Sequence, residues 1–260
     1  MSLLGKFKHS LAVAAAAGMC MSAMMATSSS AVAFEQVLRV GTESSYAPFE
    51  FTQEGELVGF DIDLMNAVAK EMGYSVEWMQ MSFDGLIPAM LTAQVDMAVA
   101  SFTVTPERAK RINFSDPYYR SGLTFVVRST DKDKYPQADS LKGKRLCAQL
   151  GSVSAMKGET FSPGNVATFN DAYAAYLELK AGGCEAVIND RPVNQYFMAT
   201  SKAASDAYEL PDILDAEDMA MVLPKSKPEL LEQVNQALKA LHDNGTYQQI
   251  YDKWFKHETK

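Results

Sequence analysis

The chain has few of the residues that hold metal ions or act as catalytic nucleophiles. Its 260 residues include three cysteines and three histidines. Cys20 lies near the N-terminus, and neither Cys147 nor Cys184 has a histidine or another cysteine close to it in the sequence. We therefore expect no metal, no cofactor and no Ser-His-Asp or Cys-His catalytic group. In an oxidising compartment, two such cysteines form a disulfide more often than a metal site.

Positive charge is also scarce. Lysine and arginine together number 24, against 32 aspartates and glutamates, which gives a formal net charge of −8. The first 33 residues contain Lys6 and Lys8 and no acidic residue, so the remainder has two fewer positive charges and a formal charge of −10. An acidic surface argues against nucleic acid and anionic membranes as partners.

Long hydrophobic runs are absent after the N-terminus. The first residues are typical of a secretory signal peptide, with Lys6 and Lys8 followed by an apolar, alanine-rich stretch, Leu11 to Met25. An A-x-A cleavage site ends at Ala33, so we expect residues 1–33 to be removed and the protein to reach the periplasm. No later segment approaches the length of a transmembrane helix, which predicts a soluble exported protein.

After residue 33, strand and helix patterns alternate in two successive rounds. The first round begins with a strand at residues 37–42 and the second with a strand at residues 144–149, each ending close to a glycine. This alternation predicts an α/β fold with parallel sheets, whose ligands bind at the carboxyl ends of strands. The other predicted strands cover residues 74–79, 97–100, 123–128, 166–169, 185–189 and 219–223. The predicted helices cover residues 61–73 (capped by Asp61), 83–92, 153–159, 170–181, 192–202, 228–241 and a final stretch through Phe255.

Polar residues follow several of these strands at the ends where a cleft is expected. They are Glu43, Ser101, Thr103, Ser152 and Asp190. A purely structural protein has no need of polar residues at all of these positions. Their coincidence predicts a binding cleft.

The stretch from Val99 to Asp116 combines hydroxyl residues with Arg108, three residues past Thr105. Oxygen atoms suit an ammonium group, and a guanidinium matches the planar geometry of a carboxylate, so the stretch predicts a site for a small zwitterion. The alternative is structural. Thr105 followed by Pro106 is a typical helix start, in which case Arg108 would be a surface residue.

Six segments of the sequence, in order, resemble one family. The chain is similar to the periplasmic solute-binding proteins for polar amino acids that serve ABC importers, especially the glutamine and the lysine/arginine/ornithine/histidine binders. The resemblance covers essentially the whole chain after residue 33. The segments are GTESSYAPFEF (41–51), GFDIDLMNAVAKEMG (59–73), FDGLIPAML (83–91), TVTPERAKRINFSDPYY (103–119), LKGKRLCAQLGS (141–152) and NGTYQQIYDKWF (244–255).

This resemblance implies a two-lobed Venus-flytrap fold, in which two α/β lobes joined by two hinge strands close on the ligand. Lobe 1 would comprise residues 34–121 and 222–260, and lobe 2 residues 122–221. The crossings would lie at residues 118–124 and 218–222. The implied partners are a polar L-amino acid and a membrane permease, and we expect a monomer. Cys147 and Cys184 would lie on neighbouring strands of lobe 2, where a structural disulfide fits.

The resemblance also implies a role for each residue of the pocket. Arg108 would pair with the α-carboxylate, assisted by the N–H groups of Thr103 and Val153 and by the helix that starts near Ser152. Three groups would hold the α-ammonium and two aromatic rings would enclose the ligand's alkyl part. The groups that would hold the α-ammonium are the Asp190 carboxylate, the carbonyl of Ala100 or Ser101, and the Thr103 hydroxyl. The two rings are those of Tyr46 and Phe83.

Two further residues would select the ligand side chain. Glu43 stands where the glutamine and basic-residue binders usually have an aspartate, and Gln149 stands where some glutamine binders have a lysine. A carboxylate without that lysine favours a cationic ligand such as arginine or lysine, whereas overall similarity favours glutamine. Both alternatives remain open, and repulsion by Glu43 disfavours acidic amino acids.

Two other functions fit the same scaffold. Some relatives of these binders are dehydratases acting on prephenate-like acids, with an acidic residue shortly after the counterpart of Asp190; here Arg191-Pro192-Val193-Asn194 contains no acid. The chain could also be the input module of a sensor. No hydrophobic segment follows the last helix, which favours a freestanding protein.

Overall fold

The structure is a computed structural model that describes residues 36–256, with fourteen strands and eight α-helices in that range. The predicted signal peptide, residues 1–33, lies outside the described residues. The strands are β1 (Gln36–Thr42), β2 (Ser45–Tyr46), β3 (Glu50–Gln53), β4 (Glu56–Val58), β5 (Tyr74–Gln80), β6 (Met97–Ala98), β7 (Ile112–Phe114), β8 (Tyr119–Arg128), β9 (Leu146–Gln149), β10 (Val166–Phe169), β11 (Ala186–Asp190), β12 (Ala207–Glu209), β13 (Leu214–Met219) and β14 (Val222–Pro224). The helices are α1 (Phe60–Met72), α2 (Phe83–Leu91), α3 (Pro106–Ala109), α4 (Val153–Phe161), α5 (Ala172–Ala181), α6 (Arg191–Thr200), α7 (Pro228–Asp243) and α8 (Thr246–Phe255).

The first sheet has the strand order β5-β1-β6-β14-β7. β1 lies parallel to β5 and β6, and its side chains Leu38 and Val40 are buried. Gly41 lets α2 pack directly on this strand, because a Cβ atom there would lie 3.0 Å from the Leu86 side chain. Because β1 and β6 are parallel, their carboxyl ends lie at the same edge of the sheet. Glu43 follows β1 at this edge, and Ser101 lies shortly after β6.

The second sheet has the order β10-β9-β11-β8-β12, with β13 also paired to β8. β9, β10 and β11 are parallel, whereas β8 is antiparallel to β11, β12 and β13. Each large sheet is thus mixed: the predicted parallel pairing holds for β5, β1 and β6 and for β10, β9 and β11, and the remaining pairs are antiparallel. The reason is that β8 and β14 are reached without a helical crossover, so nothing requires them to run parallel to their neighbours.

The chain leaves the first sheet after β7, enters the second at β8, and returns to the first between β13 and β14. α7 and α8 then pack against α1 beside the first sheet. The predicted α/β fold with two lobes is confirmed. The exact lobe boundaries, 34–121, 122–221 and 222–260, stay a prediction.

A small antiparallel sheet, β2-β3-β4, was not anticipated from the sequence. The hairpin between β3 and β4 turns at Glu54 and Gly55, both with positive φ (53° and 88°), which suits a two-residue turn between twisted strands. This sheet carries Tyr46 on β2 and Glu50 on β3. It therefore brings two polar side chains toward the ends of β1 and β6.

The start of α1 differs from the prediction. Gly59, not Asp61, occupies the N-cap position, with φ 138°. A Cβ atom at Gly59 would lie 2.0 Å from the Phe49 carbonyl oxygen, so the close approach of these two segments requires glycine. Asp61 lies inside the first turn, fully buried, where its side chain makes contacts other than a cap. Within residues 36–256, no helix has both the length and the apolar character needed to span a membrane.

Candidate functional site

A narrow cavity lies at the carboxyl ends of β1, β6, β9 and β11. Its volume is about 20 Å³, which is room for a single water molecule. A larger ligand therefore requires its walls to move apart. All eleven residues predicted for the pocket line it; that they bind a ligand stays a prediction. They are Glu43, Tyr46, Phe83, Ala100, Ser101, Thr103, Arg108, Gln149, Ser152, Val153 and Asp190.

The Arg108 side chain is hydrogen-bonded to a loop that follows a strand of each large sheet. Its Nη1 donates to the Thr103 carbonyl at 2.9 Å and its Nη2 donates to the Gly151 carbonyl, which follows β9, at 3.1 Å. The guanidinium lies over the rings of Phe83 and Phe102, 5.4 Å from each centroid, which adds a cation–π attraction. Burial lowers the pKa of Arg108 to about 10, so the group keeps its positive charge at neutral pH.

The structural alternative for this stretch is correct in one respect. Thr105 does cap the one-turn helix α3, because its Oγ1 accepts a hydrogen bond from the Arg108 N–H at 3.2 Å. The cap and the site are compatible, since the turn that Thr105 starts is what directs Arg108 into the cavity. Arg108 is only partly exposed and is not a free surface residue.

Glu43 faces Gln149 across the cavity. Gln149 Nε2 donates to Glu43 Oε2 at 2.6 Å, and both side chains are buried. Glu43 Oε1 is buried and has no hydrogen-bond partner among the described residues. Burial raises the pKa of Glu43 to about 8, with a further increase from the charge of Asp171, while the Gln149 hydrogen bond opposes the shift. This end of the cavity combines an unsatisfied acceptor with a neutral amide.

Tyr46 and Asp190 form the second contact across the cavity. The Tyr46 hydroxyl lies 2.6 Å from Asp190 Oδ2 and 2.7 Å from Asn189 Oδ1. Asp190 stands at the N-cap position of α6, but its side chain makes no capping hydrogen bond and accepts one from Tyr46. Burial raises its pKa, against the hydrogen bonds from Tyr46 and Ser121 and the charge of Arg108.

Ser152 starts α4 at the cavity wall. Its Oγ accepts from the Ala155 N–H at 3.0 Å and donates to the Gln149 carbonyl at 2.7 Å, which is a regular N-cap. The first turn of α4, beginning with Val153, thus directs its positive end at the cavity. A carboxylate is the group that such a helix end attracts.

Three polar residues near the cavity were not predicted as part of it. Glu50 and Asp61 are fully buried behind Ser101, and Asn189 supports Tyr46. The sequence does contain a signal for Asp61: it shares a helical face with Leu64, Met65 and Val68, an apolar face that is buried against the first sheet. An acid on such a face predicts a buried carboxyl group with polar partners.

A disulfide joins Cys147 on β9 to Cys184, just before β11, with a Cα–Cα distance of 6.0 Å. Both cysteines are buried and neither lines the cavity. The predicted pairing is confirmed. Among residues 36–256, no group of three or more histidine, cysteine, aspartate or glutamate side chains is arranged to hold a metal ion.

The fold and the cavity define a two-lobed binding protein, and comparison with known families agrees. The family of bacterial extracellular solute-binding proteins, family 3, matches residues 38–257. The chain belongs to this family.

Similar proteins bear names that refer to amino acids. An L-arginine-binding protein of Pseudomonas aeruginosa is 34% identical over 232 residues, covering 86% of this chain and 89% of that protein. An ABC transporter arginine-binding protein of Escherichia coli is 31% identical, covering 90% and 97%. An ancestral arginine-binding protein bound to glutamine is 39% identical with a TM-score of 0.81, covering 85% and 98%. An ancestral amino acid-binding protein described as a precursor of cyclohexadienyl dehydratase is 37% identical with a TM-score of 0.78, covering 84% and 95%.

Proposed function

We propose that this protein captures a polar L-amino acid, either a basic one such as arginine or lysine or else glutamine, and delivers it to an ABC permease from the periplasm. One observation carries the proposal: a single cavity between the strand ends is lined by a guanidinium, two buried carboxyl groups and several acceptor oxygens. Relatives named as arginine-binding proteins, one of them of an ABC transporter, support the ligand class and the partner.

The α-carboxylate would bind at Arg108. Two N–H groups of the Arg108 guanidinium now donate to the carbonyls of Thr103 and Gly151. A ligand carboxylate would replace these neutral acceptors with a charged one. Thr103 forms an isolated antiparallel bridge with Met219, but the hydrogen bonds of that bridge are made by the neighbours Phe102 and Val104. The Thr103 N–H takes no part in that bridge and would be an additional donor to the carboxylate, together with the start of α4.

The α-ammonium would bind on the opposite wall. Asp190 supplies a carboxylate there, and the carbonyls of Ala100 and Ser101 and the Thr103 hydroxyl add acceptors. Tyr46 would keep Asp190 in place through its 2.6 Å hydrogen bond, and its ring with that of Phe83 would cover the aliphatic part of the ligand. Full pairing of this kind is required, because an unpaired buried charge costs several kcal/mol.

The ligand side chain would end between Glu43 and Gln149. Both arginine and glutamine end in N–H donors that suit the free Glu43 Oε1. The Gln149 carbonyl oxygen offers a second acceptor once Nε2 releases Glu43. An aspartate or glutamate ligand would place a second carboxylate against Glu43 with no cation beside it.

Closure of the two lobes would be the signal that the permease reads. The narrow cavity excludes an amino acid unless its walls separate, so entry requires motion about the two connections between the sheets. The proposed crossings, at residues 118–124 and 218–222, span the boundaries between the two lobes. We propose that the protein acts as a monomer.

Thermal shift measured across the common L-amino acids tests this function, since a ligand that binds the folded state raises the melting temperature by mass action. We expect shifts with arginine, lysine or glutamine and none with aspartate or glutamate. Arg108→Ala should abolish every shift, whereas the exposed neighbour Arg111→Ala should preserve them. Tight aspartate or glutamate binding without arginine, lysine or glutamine binding would refute the assignment.

The dehydratase alternative has less support. The segment after Asp190 has no acid, and its Asn194 is buried and donates to Thr124 Oγ1 at 2.8 Å, as a structural residue does. Incubation with prephenate or arogenate tests the alternative directly. Turnover that is lost in Asp190→Asn would replace the binding function with an enzymatic one.

A further inference from the structure

Two carboxyl groups are buried together behind the cavity wall. Glu50 on β3 and Asp61 in the first turn of α1 are both fully inaccessible to solvent, and one carboxyl oxygen of each lies within 3.4 Å of the same Ser101 Oγ. No lysine, arginine or histidine among the described residues forms an ion pair with either one. Two carboxylates cannot both stay ionised in such contact, so the pair holds one proton and one negative charge.

The negative charge belongs to Asp61. Its Oδ2 accepts hydrogen bonds from the Ser101 N–H and the Tyr118 hydroxyl, each at 2.8 Å. Its position in the first turn of α1 adds the favourable field of a helix N-terminus. Glu50 accepts only one long hydrogen bond, from Ser101 Oγ at 3.3 Å, and burial beside Asp61 raises its pKa well above the usual range. Glu50 therefore carries the proton.

Ser101 joins this pair to the cavity. Its backbone is in the left-handed region, with φ 48°, which is uncommon for a residue other than glycine. In this conformation its N–H donates to Asp61 and its Oγ lies 3.3 Å from Glu50 Oε2 and 3.4 Å from Asp61 Oδ2. Both donors of Ser101 are thus directed away from the cavity. What Ser101 offers to the cavity is its carbonyl oxygen and the lone pairs of Oγ.

We propose that the Asp61–Glu50 pair engages both hydrogen-bond donors of Ser101, so that Ser101 presents only acceptors to the cavity, and that it places one negative charge behind Ser101. This wall of the cavity therefore accepts the α-ammonium and rejects ligands without one. Asp61 is then a positioning and specificity-determining residue that acts through Ser101 without touching the ligand. The inference rests on the proposed amino-acid binding. It adds a second anionic contribution to the ammonium site, besides that of Asp190.

The test compares an amino acid with the same molecule lacking its α-amino group. The pairs are L-arginine with 5-guanidinopentanoic acid, and L-glutamine with glutaramic acid; affinities are measured by calorimetry. In the unmodified protein the amino acid should bind far more tightly than its partner. Asp61→Asn removes the charge and brings an amide donor to Ser101, so this affinity ratio should fall by roughly 10- to 100-fold, the range for losing one charge-assisted hydrogen bond.

The matched control is Asp63→Asn, in the same helical turn, where Asp63 contacts Lys253 and Trp254 at the surface. It should leave the ratio unchanged. Glu50→Gln should preserve the ratio better than Asp61→Asn does, because a neutral amide replaces a protonated carboxyl. A purely structural role predicts equal weakening of both members of a pair, and that result would overturn the inference.

Two further outcomes have separate meanings. If neither arginine nor glutamine binds the unmodified protein, the proposed function itself fails. If Asp61→Asn does not fold, as judged by its thermal unfolding, Ser101→Ala replaces it: this variant keeps the buried charge and loses the Oγ acceptor. The ratio should still fall, and an unchanged ratio in Ser101→Ala would overturn the inference.

Discussion

Replacing Glu43 with glutamine should change which amino acid binds. The substitution keeps the size of the side chain and removes its ability to ionise when a cationic ligand binds. Glu43 is 3% exposed, its Oε1 has no partner among the described residues, and its Oε2 accepts from Gln149 at 2.6 Å. A cationic ligand would gain a charge-assisted hydrogen bond at Oε1 that Glu43→Gln cannot provide.

The size of the effect follows from this geometry. A hydrogen bond to a charged group contributes about 1.5–3 kcal/mol, and a buried cation left without its partner costs about 3–5 kcal/mol. We expect a loss of about 2–4 kcal/mol for arginine, which is roughly a 30- to 1,000-fold weaker Kd. Glutamine exchanges one acceptor oxygen for another, so its affinity should change by less than about tenfold, or about 1 kcal/mol.

Isothermal titration calorimetry of arginine and glutamine against both proteins measures this difference. Glu56→Gln, on the exposed strand β4, is the matched control and should leave both affinities unchanged. Equal loss of both ligands would mean that Glu43 supports the fold of the cavity and does not select the ligand. Unchanged arginine affinity would show that the ligand side chain ends elsewhere. Either result would contradict a selective role for Glu43.

Two other predictions concern protons and the disulfide. The pKa of Glu43 is about 8, so the group is mostly protonated at pH 7. Because a cationic ligand requires the carboxylate, arginine binding should release close to one proton at pH 7. It should release none above about pH 9, where Glu43 is already ionised. Calorimetry in buffers of different ionisation enthalpy checks this release, which Glu43→Gln should abolish, and the affinity for arginine should rise with pH up to about 8. Replacing Cys147 and Cys184 with serine opens a loop whose ends are 37 residues apart; chain entropy predicts a loss of about 4 kcal/mol of unfolding free energy. Denaturant unfolding measures that loss, and because the disulfide does not line the cavity, amino-acid affinity at low temperature should be unaffected; a large change in affinity would contradict this separation.

Elements with a clear periodicity were predicted nearly to the residue. The strand Val166–Phe169 was predicted with its observed bounds, and α2 and α5 differ from prediction by one or two residues. The reason is that an apolar period and a capping residue are local properties of the chain. β8 is four residues longer at its start than predicted, because Tyr119 to Gly122 pair with β13, a partner nearly a hundred residues away. No local pattern contains that pairing.

The residues that line the cavity could be predicted from the sequence, whereas the contacts they make with one another could not. Strand-end position and family resemblance together indicate Glu43, Arg108 and Asp190, and the structure brings all three to one cavity. The contacts they make with one another depend on how the two lobes meet. That Tyr46 reaches Asp190 follows from the small sheet β2-β3-β4, whose short strands have no distinctive sequence pattern.

The partners that the cavity residues now hold affect how a ligand leaves. Arg108 is paired with the carbonyls of Thr103 and Gly151, and Glu43 with the amide of Gln149. If an amino acid binds as proposed, its carboxylate would be replaced at Arg108 by these two carbonyls on release. The buried guanidinium would then keep hydrogen-bond partners in both states, which avoids the cost of an unpaired buried charge. The affinity of such an amino acid would then report the difference between these two sets of contacts.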